Sequence, residues 1–120
     1  MHTCRALVAT CIDFRFQKAI NRWIKEKWVE GDHDRVSLAG GVKNLEYLLK
    51  QIEISRCLHD IKEVILINHE DCGAYGDGQT KDTHRNDLRL AEEKILRLYP
   101  ELKVALYYLT LDFKFEKIVK

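Results

Sequence analysis

The sequence has little of what would set it apart from ordinary globular proteins. It contains one proline and six glycines among 120 residues, too few for a collagen-like or low-complexity chain. No apolar run approaches the roughly 20 residues that a membrane span needs. The opening apolar run, Ala6 to Ala9, is also too short for the hydrophobic part of an export signal. We therefore expect a cytoplasmic protein that has no membrane among its partners.

The sequence also lacks an excess of charge of either sign. The chain has 20 Lys and Arg residues against 19 Asp and Glu residues, a formal net charge of +1. A balance so close to zero gives no general electrostatic case for nucleic acid as a partner. The composition, 46% hydrophobic and 32% charged, is that of a folded protein, and the length suits one domain spanning residues 1–120.

Cysteine is scarce enough that each of the four can be considered separately. Disulfides are rare in the reducing compartment expected here, so all four are interpreted as thiols, either buried or bound to metal. Cys4 lies in a strand-like pattern and Cys57 in a helical one, and both are predicted to be core residues. Cys11 and Cys72 lie at the ends of predicted strands, where another role is open to them.

Hydrophobic periodicity predicts strands that alternate with helices. Short apolar runs predict strands at residues 5–10, 35–38 and 63–67, and a strand or hairpin from 104 to about 115. Apolar residues at helical spacing predict three helices, at about 16–28, 42–58 and 82–98. Trp23 and Trp28 share one face of the first helix, which favours core positions, or an interface if the protein dimerises.

This order of elements predicts an α/β fold. It indicates a single domain with an open, mostly parallel sheet of four to five strands and helices on both faces. In such sheets, ligands bind beyond the carboxyl ends of the strands. The residues that follow the strands are therefore the candidates for a functional site.

Three metal-binding side chains follow two of the predicted strands. Cys11 comes directly after the first strand, and His69 and Cys72 follow the third. Two thiolates and an imidazole suit zinc. The fourth position on the metal would then be open to water or to the carboxylate of nearby Asp13. The alternative is that His69 and Cys72 merely terminate a strand.

Asp13 and Arg15 are two positions apart, directly after Cys11. An aspartate at such a place is commonly the N-cap of the next helix. The nearby metal ligands favour a functional pair in which Arg15 holds the Asp13 carboxylate through a bidentate contact. Both interpretations remain open from the sequence.

Together these motifs resemble those of the β-class carbonic anhydrases. The segments concerned are Cys11-x-Asp13-x-Arg15, Ala39-Gly40-Gly41 and His69-x-x-Cys72-Gly73. The resemblance implies one Zn²⁺ per chain bound by Cys11, His69 and Cys72, with Asp13 as a possible fourth ligand. It implies an Asp13–Arg15 dyad that orients a zinc-bound hydroxide for reversible hydration of CO₂ to bicarbonate. It also implies that Gly40 and Gly41 let backbone pass close to the metal.

The chain departs from the family pattern in several places. Phe14 stands where the family usually has serine, and Ser37-Leu38 stand where it usually has Arg-Asn. The first strand begins near the amino terminus, which predicts a compact member without the family's N-terminal helical arm. We expect a homodimer or higher homo-oligomer that is built some other way.

These departures leave two further hypotheses open. One is a related zinc hydrolase acting on COS or CS₂. The other is a non-catalytic zinc-binding domain with Asp13 as its fourth ligand. If the site is catalytic, the proton released could pass through His33, His59 or His84, or directly to buffer.

Overall fold

Five strands and three α-helices make up the fold in the computed structural model, which describes residues 1–119. The strands are β1 (Ala6–Cys11), β2 (His33–Leu38), β3 (Glu63–His69), β4 (Lys103–Leu109) and β5 (Phe115–Ile118). The helices are α1 (Gln17–Glu26), α2 (Leu45–His59) and α3 (Lys81–Leu98). No helix among these residues is long and apolar enough to cross a membrane.

The strands form one mostly parallel sheet in the order β2-β1-β3-β4-β5. Strands β2, β1, β3 and β4 are parallel to one another, and β5 pairs antiparallel with β4. The hairpin that the sequence left unplaced turns at residues 110–114, where the Thr110 N–H donates to the Lys114 carbonyl. The predicted α/β fold is thus confirmed, with five strands.

Helices cover both faces of the sheet because β1 and β3 are apolar on both sides. Helix α1 lies on one face, where Ile20, Trp23 and Ile24 pack with strand residues such as Val8 and Ile65. Helices α2 and α3 lie on the other face. There, Leu48, Ile52, Leu88 and Ile95 pack with strand residues such as Leu7, Val64 and Leu66.

Two of the predicted core positions are wrong. Trp23 is buried as predicted, but Trp28 is 82% exposed, because α1 ends at Glu26 and the chain turns through Trp28 at φ 65°. Cys57 is exposed, because α2 presents Ile52 and Ser55 to the sheet and Cys57 lies on its outer side. Cys4 precedes β1 and is only partly buried beside the core.

A candidate metal centre at the carboxyl edge of the sheet

Strands β1 and β3 are parallel neighbours, and each ends in a metal-binding side chain. Cys11 is the last residue of β1 and His69 the last of β3, and the turn after His69 brings Cys72 back to them. One ligand atom from each of the three lies within 4.8 Å of the other two, and all three residues are buried. The two Sγ atoms are 3.9 Å apart.

The imidazole of His69 is oriented as a ligand would be. Its Nδ1 lies 2.8 Å from the carbonyl oxygen of Glu70, to which it donates. Its Nε2 is buried and has no hydrogen-bond partner among the described residues. In metal sites a histidine commonly donates one ring nitrogen to a carbonyl and leaves the other for the metal. The unpartnered Nε2 beside two thiols therefore fits a metal ion.

The two thiols have opposite pKa shifts. Burial alone would raise the pKa of Cys11, but the neighbouring His69 imidazole and backbone N–H groups lower it to about 7. One of those groups is the N–H of Gly40, 3.4 Å from the Cys11 sulfur. Burial and the adjacent Cys11 charge raise the pKa of Cys72. A divalent cation between them would remove this repulsion and hold both as thiolates.

The Asp13 carboxylate is held beside these ligands by Arg15. Nη2 of Arg15 lies 2.6 Å from Oδ2 of Asp13, and its Nε lies 3.1 Å from Oδ1. The Arg15 backbone N–H also donates to Oδ1, so Asp13 caps the short 3₁₀ turn Phe14–Phe16 as well. The N-cap and the ion pair, which the sequence offered as alternatives, therefore coexist. The Arg15 contact lowers the pKa of Asp13 to about 2, and Oδ2 lies 3.7 Å from Nε2 of His69.

Asp71 is a partner of Arg15 that sequence reasoning missed. Nη1 of Arg15 donates to the Asp71 carboxylate at 3.1 Å, and Nη2 donates to the Asp71 carbonyl oxygen at 2.8 Å. Arg15 thereby ties the loop after β1 to the loop after β3. The signal available was an acidic residue inside the His-x-x-Cys motif, but no spacing rule relates it to an arginine 56 positions away.

Gly40 and Gly41 lie against different neighbouring residues. Gly40 has φ 80° and donates its N–H to the Cys11 sulfur, so its backbone does reach the candidate site. Gly41 has φ 59°, and a Cβ there would lie 2.6 Å from Oδ1 of Asn68. Gly41 thus allows close packing on the residue before His69.

Gln79 fixes the backbone of Cys72. Its Oε1 accepts from the Cys72 N–H at 2.8 Å, and its Nε2 donates to the Cys72 carbonyl at 2.8 Å. His84 holds this amide in turn, with its Nε2 2.8 Å from Oε1 of Gln79. Gln79 was not identified from the sequence, because it acts across a glycine-rich loop whose path no local pattern predicts.

His84 is a poor proton carrier, contrary to its place among the shuttle candidates. It is fully buried, and burial together with the charge of His69 lowers its pKa to about 4. Its Nδ1 lies 3.0 Å from the Asn68 amide nitrogen, which also donates to the hydroxyl of Tyr75. His33 begins β2 and His59 ends α2, so both lie at the opposite edge of the sheet.

A shallow pocket of about 400 Å³ opens beside the candidate ligands. It is lined by Cys11, Ile12, Asp13, Phe14, Arg15, Ala39, Gly40, Cys72, Gly73 and Ala74. Ile12 is 58% exposed and Phe14 is 86% exposed at its rim. The pocket therefore combines an ionic pair on one side with an apolar rim on the other.

The fold and the site together define an α/β protein with a candidate Cys₂His metal site at the carboxyl edge of a mostly parallel sheet. A family model described as "Putative carbonic anhydrase" matches residues 1–119. The chain belongs to this family.

Two curated relatives and two solved structures are also similar to this chain. An uncharacterized protein of Rickettsia bellii is 31% identical over 98% of this chain and 84% of its own length. A second one, from Rickettsia conorii, is 31% identical over 98% of this chain and 74% of its own length. A carbonic anhydrase from Glaciozyma antarctica has the same fold, with TM-score 0.71 and 19% identity over 98% of this chain and 83% of that one. The β-carbonic anhydrase CafA of Aspergillus fumigatus gives TM-score 0.58 and 14% identity, covering 98% and 76%.

Proposed function

We propose that this protein catalyses the reversible hydration of CO₂ to bicarbonate with one zinc ion bound by Cys11, His69 and Cys72. The observation that carries the proposal is the buried, unpartnered Nε2 of His69, which lies with two thiols next to an anchored carboxylate. Zinc bound to such a set lowers the pKa of a bound water toward 7 and so supplies a nucleophile at neutral pH.

Asp13 orients the attacking water in this proposal. Because Arg15 lowers the pKa of Asp13 to about 2, the carboxylate is anionic at neutral pH and accepts a hydrogen bond without keeping the proton. That hydrogen bond directs an oxygen lone pair toward CO₂ in the adjacent pocket. CO₂ gains the equivalent of one hydroxide from water to form bicarbonate, and the remaining proton of that water leaves to solvent.

In this proposal, the contacts of Arg15 with Asp13 would keep the Asp13 carboxylate from becoming a fourth zinc ligand. Arg15 contacts Asp13 through three atoms, its Nε, its Nη2 and its backbone N–H, and it is itself held by Asp71. Moving the Asp13 carboxylate onto the metal requires breaking these contacts. The arrangement therefore favours an open catalytic site over a closed structural one.

The test is stopped-flow CO₂ hydration by the zinc-loaded full chain at about pH 7 to 9. We expect catalysis well above the buffer rate. Cys72→Ser should lose the zinc ion of this site and activity together, whereas Cys57→Ser, which changes an exposed thiol, should keep both. A zinc-saturated protein with no rate above buffer would refute the proposal.

Asp13→Ala separates the catalytic proposal from the non-catalytic one. If Asp13 only orients water, the variant keeps zinc on three protein ligands and turns over more slowly. Complete loss of the zinc ion of this site would mean that Asp13 is a permanent fourth ligand. In that case the non-catalytic zinc domain would be the better description.

The apolar rim supports hydrolysis of COS or CS₂ as a second candidate function. Ile12 and Phe14 present apolar surface at the mouth of the pocket, which suits COS and CS₂ because they are larger and more polarisable than CO₂. Parallel assays with CO₂, COS and CS₂ distinguish the two functions. Turnover of the sulfur compounds alone would favour this second function.

A further inference from the structure

A second group of metal-binding side chains lies at the opposite edge of the sheet. Cys4 stands just before β1, Asp34 is the second residue of β2, and His59 is the last residue of α2. One ligand atom from each lies within 4.8 Å of the other two. Since Cys4 is seven residues before Cys11 along an extended chain, this group is about 20 Å from the first site.

The three segments that carry these side chains are fastened together by their backbones. The Cys4 N–H donates to the His59 carbonyl at 3.0 Å. The Arg5 N–H donates to the Asp32 carbonyl at 3.1 Å, which joins the start of β1 to the segment before β2. The three donors therefore converge through the fold itself, before any metal is bound.

Two of the three donors are hydrogen-bonded to each other, and a metal ion would replace that contact. Nδ1 of His59 lies 2.7 Å from Oδ2 of Asp34, and the Ser55 hydroxyl donates to the same oxygen at 2.6 Å. The side chains of His59 and Asp34 are 29% and 30% exposed, so an ion could enter from solvent. Ser55 is buried and supplies the outer hydrogen bond that commonly orients a ligating carboxylate. The His2 ring lies at the same edge, with its centre 6.1 Å from the centre of the His59 ring, but His2 is not one of the three grouped donors.

We propose that Cys4, Asp34 and His59 form a second zinc site, which clamps the start of β1 to β2 and to the end of α2. A thiolate, a carboxylate and an imidazole are the three donor types that Zn²⁺ takes in proteins. Binding displaces the Cys4 thiol proton to solvent, and the ion replaces the hydrogen bond between His59 and Asp34, while the Nδ1 proton of the His59 ring moves to Nε2. In this role the ion is structural and takes no part in CO₂ chemistry.

The test compares zinc binding by four full-length chains, measured by equilibrium dialysis at micromolar free zinc. These are the wild type, Cys4→Ser, Cys72→Ser and the double variant. Cys4→Ser should bind one ion fewer than the wild type, and the double variant one fewer than Cys72→Ser. Because the readout is the loss caused by Cys4 in either background, it is independent of whether the first site binds zinc. Equal numbers of ions with and without Cys4 would overturn the proposal.

Cobalt and two further variants identify the ligands directly. Co²⁺ bound to Cys72→Ser should show a thiolate-to-cobalt absorption band that disappears in the double variant. Cys57→Ser, which changes a thiol two residues from His59, should leave binding unchanged. Asp34→Asn keeps the shape of the side chain but should weaken zinc binding at least tenfold. This variant tests the proposal if Cys4→Ser folds poorly. Full affinity in Asp34→Asn would contradict the proposed coordination.

Discussion

Gly41 offers a sharp measurement of how tightly the candidate site is packed. A Cβ added at Gly41 would lie 2.6 Å from Oδ1 of Asn68 and 3.4 Å from the Ile67 carbonyl oxygen. Asn68 is 1% exposed, and its amide contacts the Val42 N–H, the Tyr75 hydroxyl and His84. It cannot move aside without breaking some of these hydrogen bonds.

The expected cost of Gly41→Ala is a sum of two effects. An alanine held at φ 59° costs about 1 kcal/mol for the left-handed backbone. Overpacking against Asn68 adds about 1–3 kcal/mol. Gly76 is the matched control, because its φ is 73° and nothing lies within 4 Å of its Cβ position. Gly76→Ala should therefore cost only the backbone part, about 1 kcal/mol.

Urea unfolding of the two zinc-loaded variants measures the difference. We expect Gly41→Ala to lose about 2–4 kcal/mol of unfolding free energy and also to bind zinc more weakly, since Asn68 directly precedes His69. Removing the obstacle supplies the check: in an Asn68→Ala background, Gly41→Ala should cost no more than Gly76→Ala does. Equal destabilisation by Gly41→Ala and Gly76→Ala in the wild-type background would refute the reasoning.

Three further predictions concern protons and loops around the site. In the folded protein the pKa of His84 is about 4, whereas an ordinary histidine has a pKa of 6.5. Between pH 4 and pH 6.5, unfolding is therefore accompanied by uptake of a proton, and the free energy of unfolding falls as the pH falls. The loss amounts to at most about 3 kcal/mol, and His84→Leu should lack this part of the pH dependence in urea unfolding. Asp71→Asn should change the free energy of unfolding by less than about 1 kcal/mol, because the ion pair of Asp71 with Arg15 is exposed. The same substitution should lower kcat about tenfold at unchanged zinc content. Turnover should rise with buffer concentration, because His33 and His59 lie at the far edge of the sheet; a rate independent of buffer would imply a proton carrier within the protein.

The features that follow from the sequence are those fixed by local pattern. Apolar runs locate β1 and β3, and the rule that parallel strands end at one edge brings Cys11 and His69 together. The contacts of Arg15 with Asp71 and of Gln79 with Cys72 depend on the paths of two loops. Those paths are set by hydrogen bonds between residues far apart in sequence, so no periodicity predicts them.

The errors at Cys57 and Trp28 have a different origin. Helix α2 carries apolar residues on more than one side, and Ile54 and Leu58 remain exposed, so its sequence does not single out the buried face. Trp28 continues the helical spacing of α1 by two residues. The backbone, however, leaves the helix at Lys27, and the side chain then points to solvent.

Phe14 is the departure from the family pattern that bears most directly on the proposed catalysis. In the structure, Asp13 and Arg15 face each other while Phe14 between them is 86% exposed. The three residues lie at the start of a 3₁₀ turn, where position 14 points away from the ion pair. The large side chain therefore leaves the ion pair of Asp13 with Arg15 intact and enlarges the apolar rim of the pocket instead. If so, Phe14→Ser should keep the zinc content and alter the relative rates on CO₂, COS and CS₂, whereas loss of zinc would show that Phe14 supports the site itself.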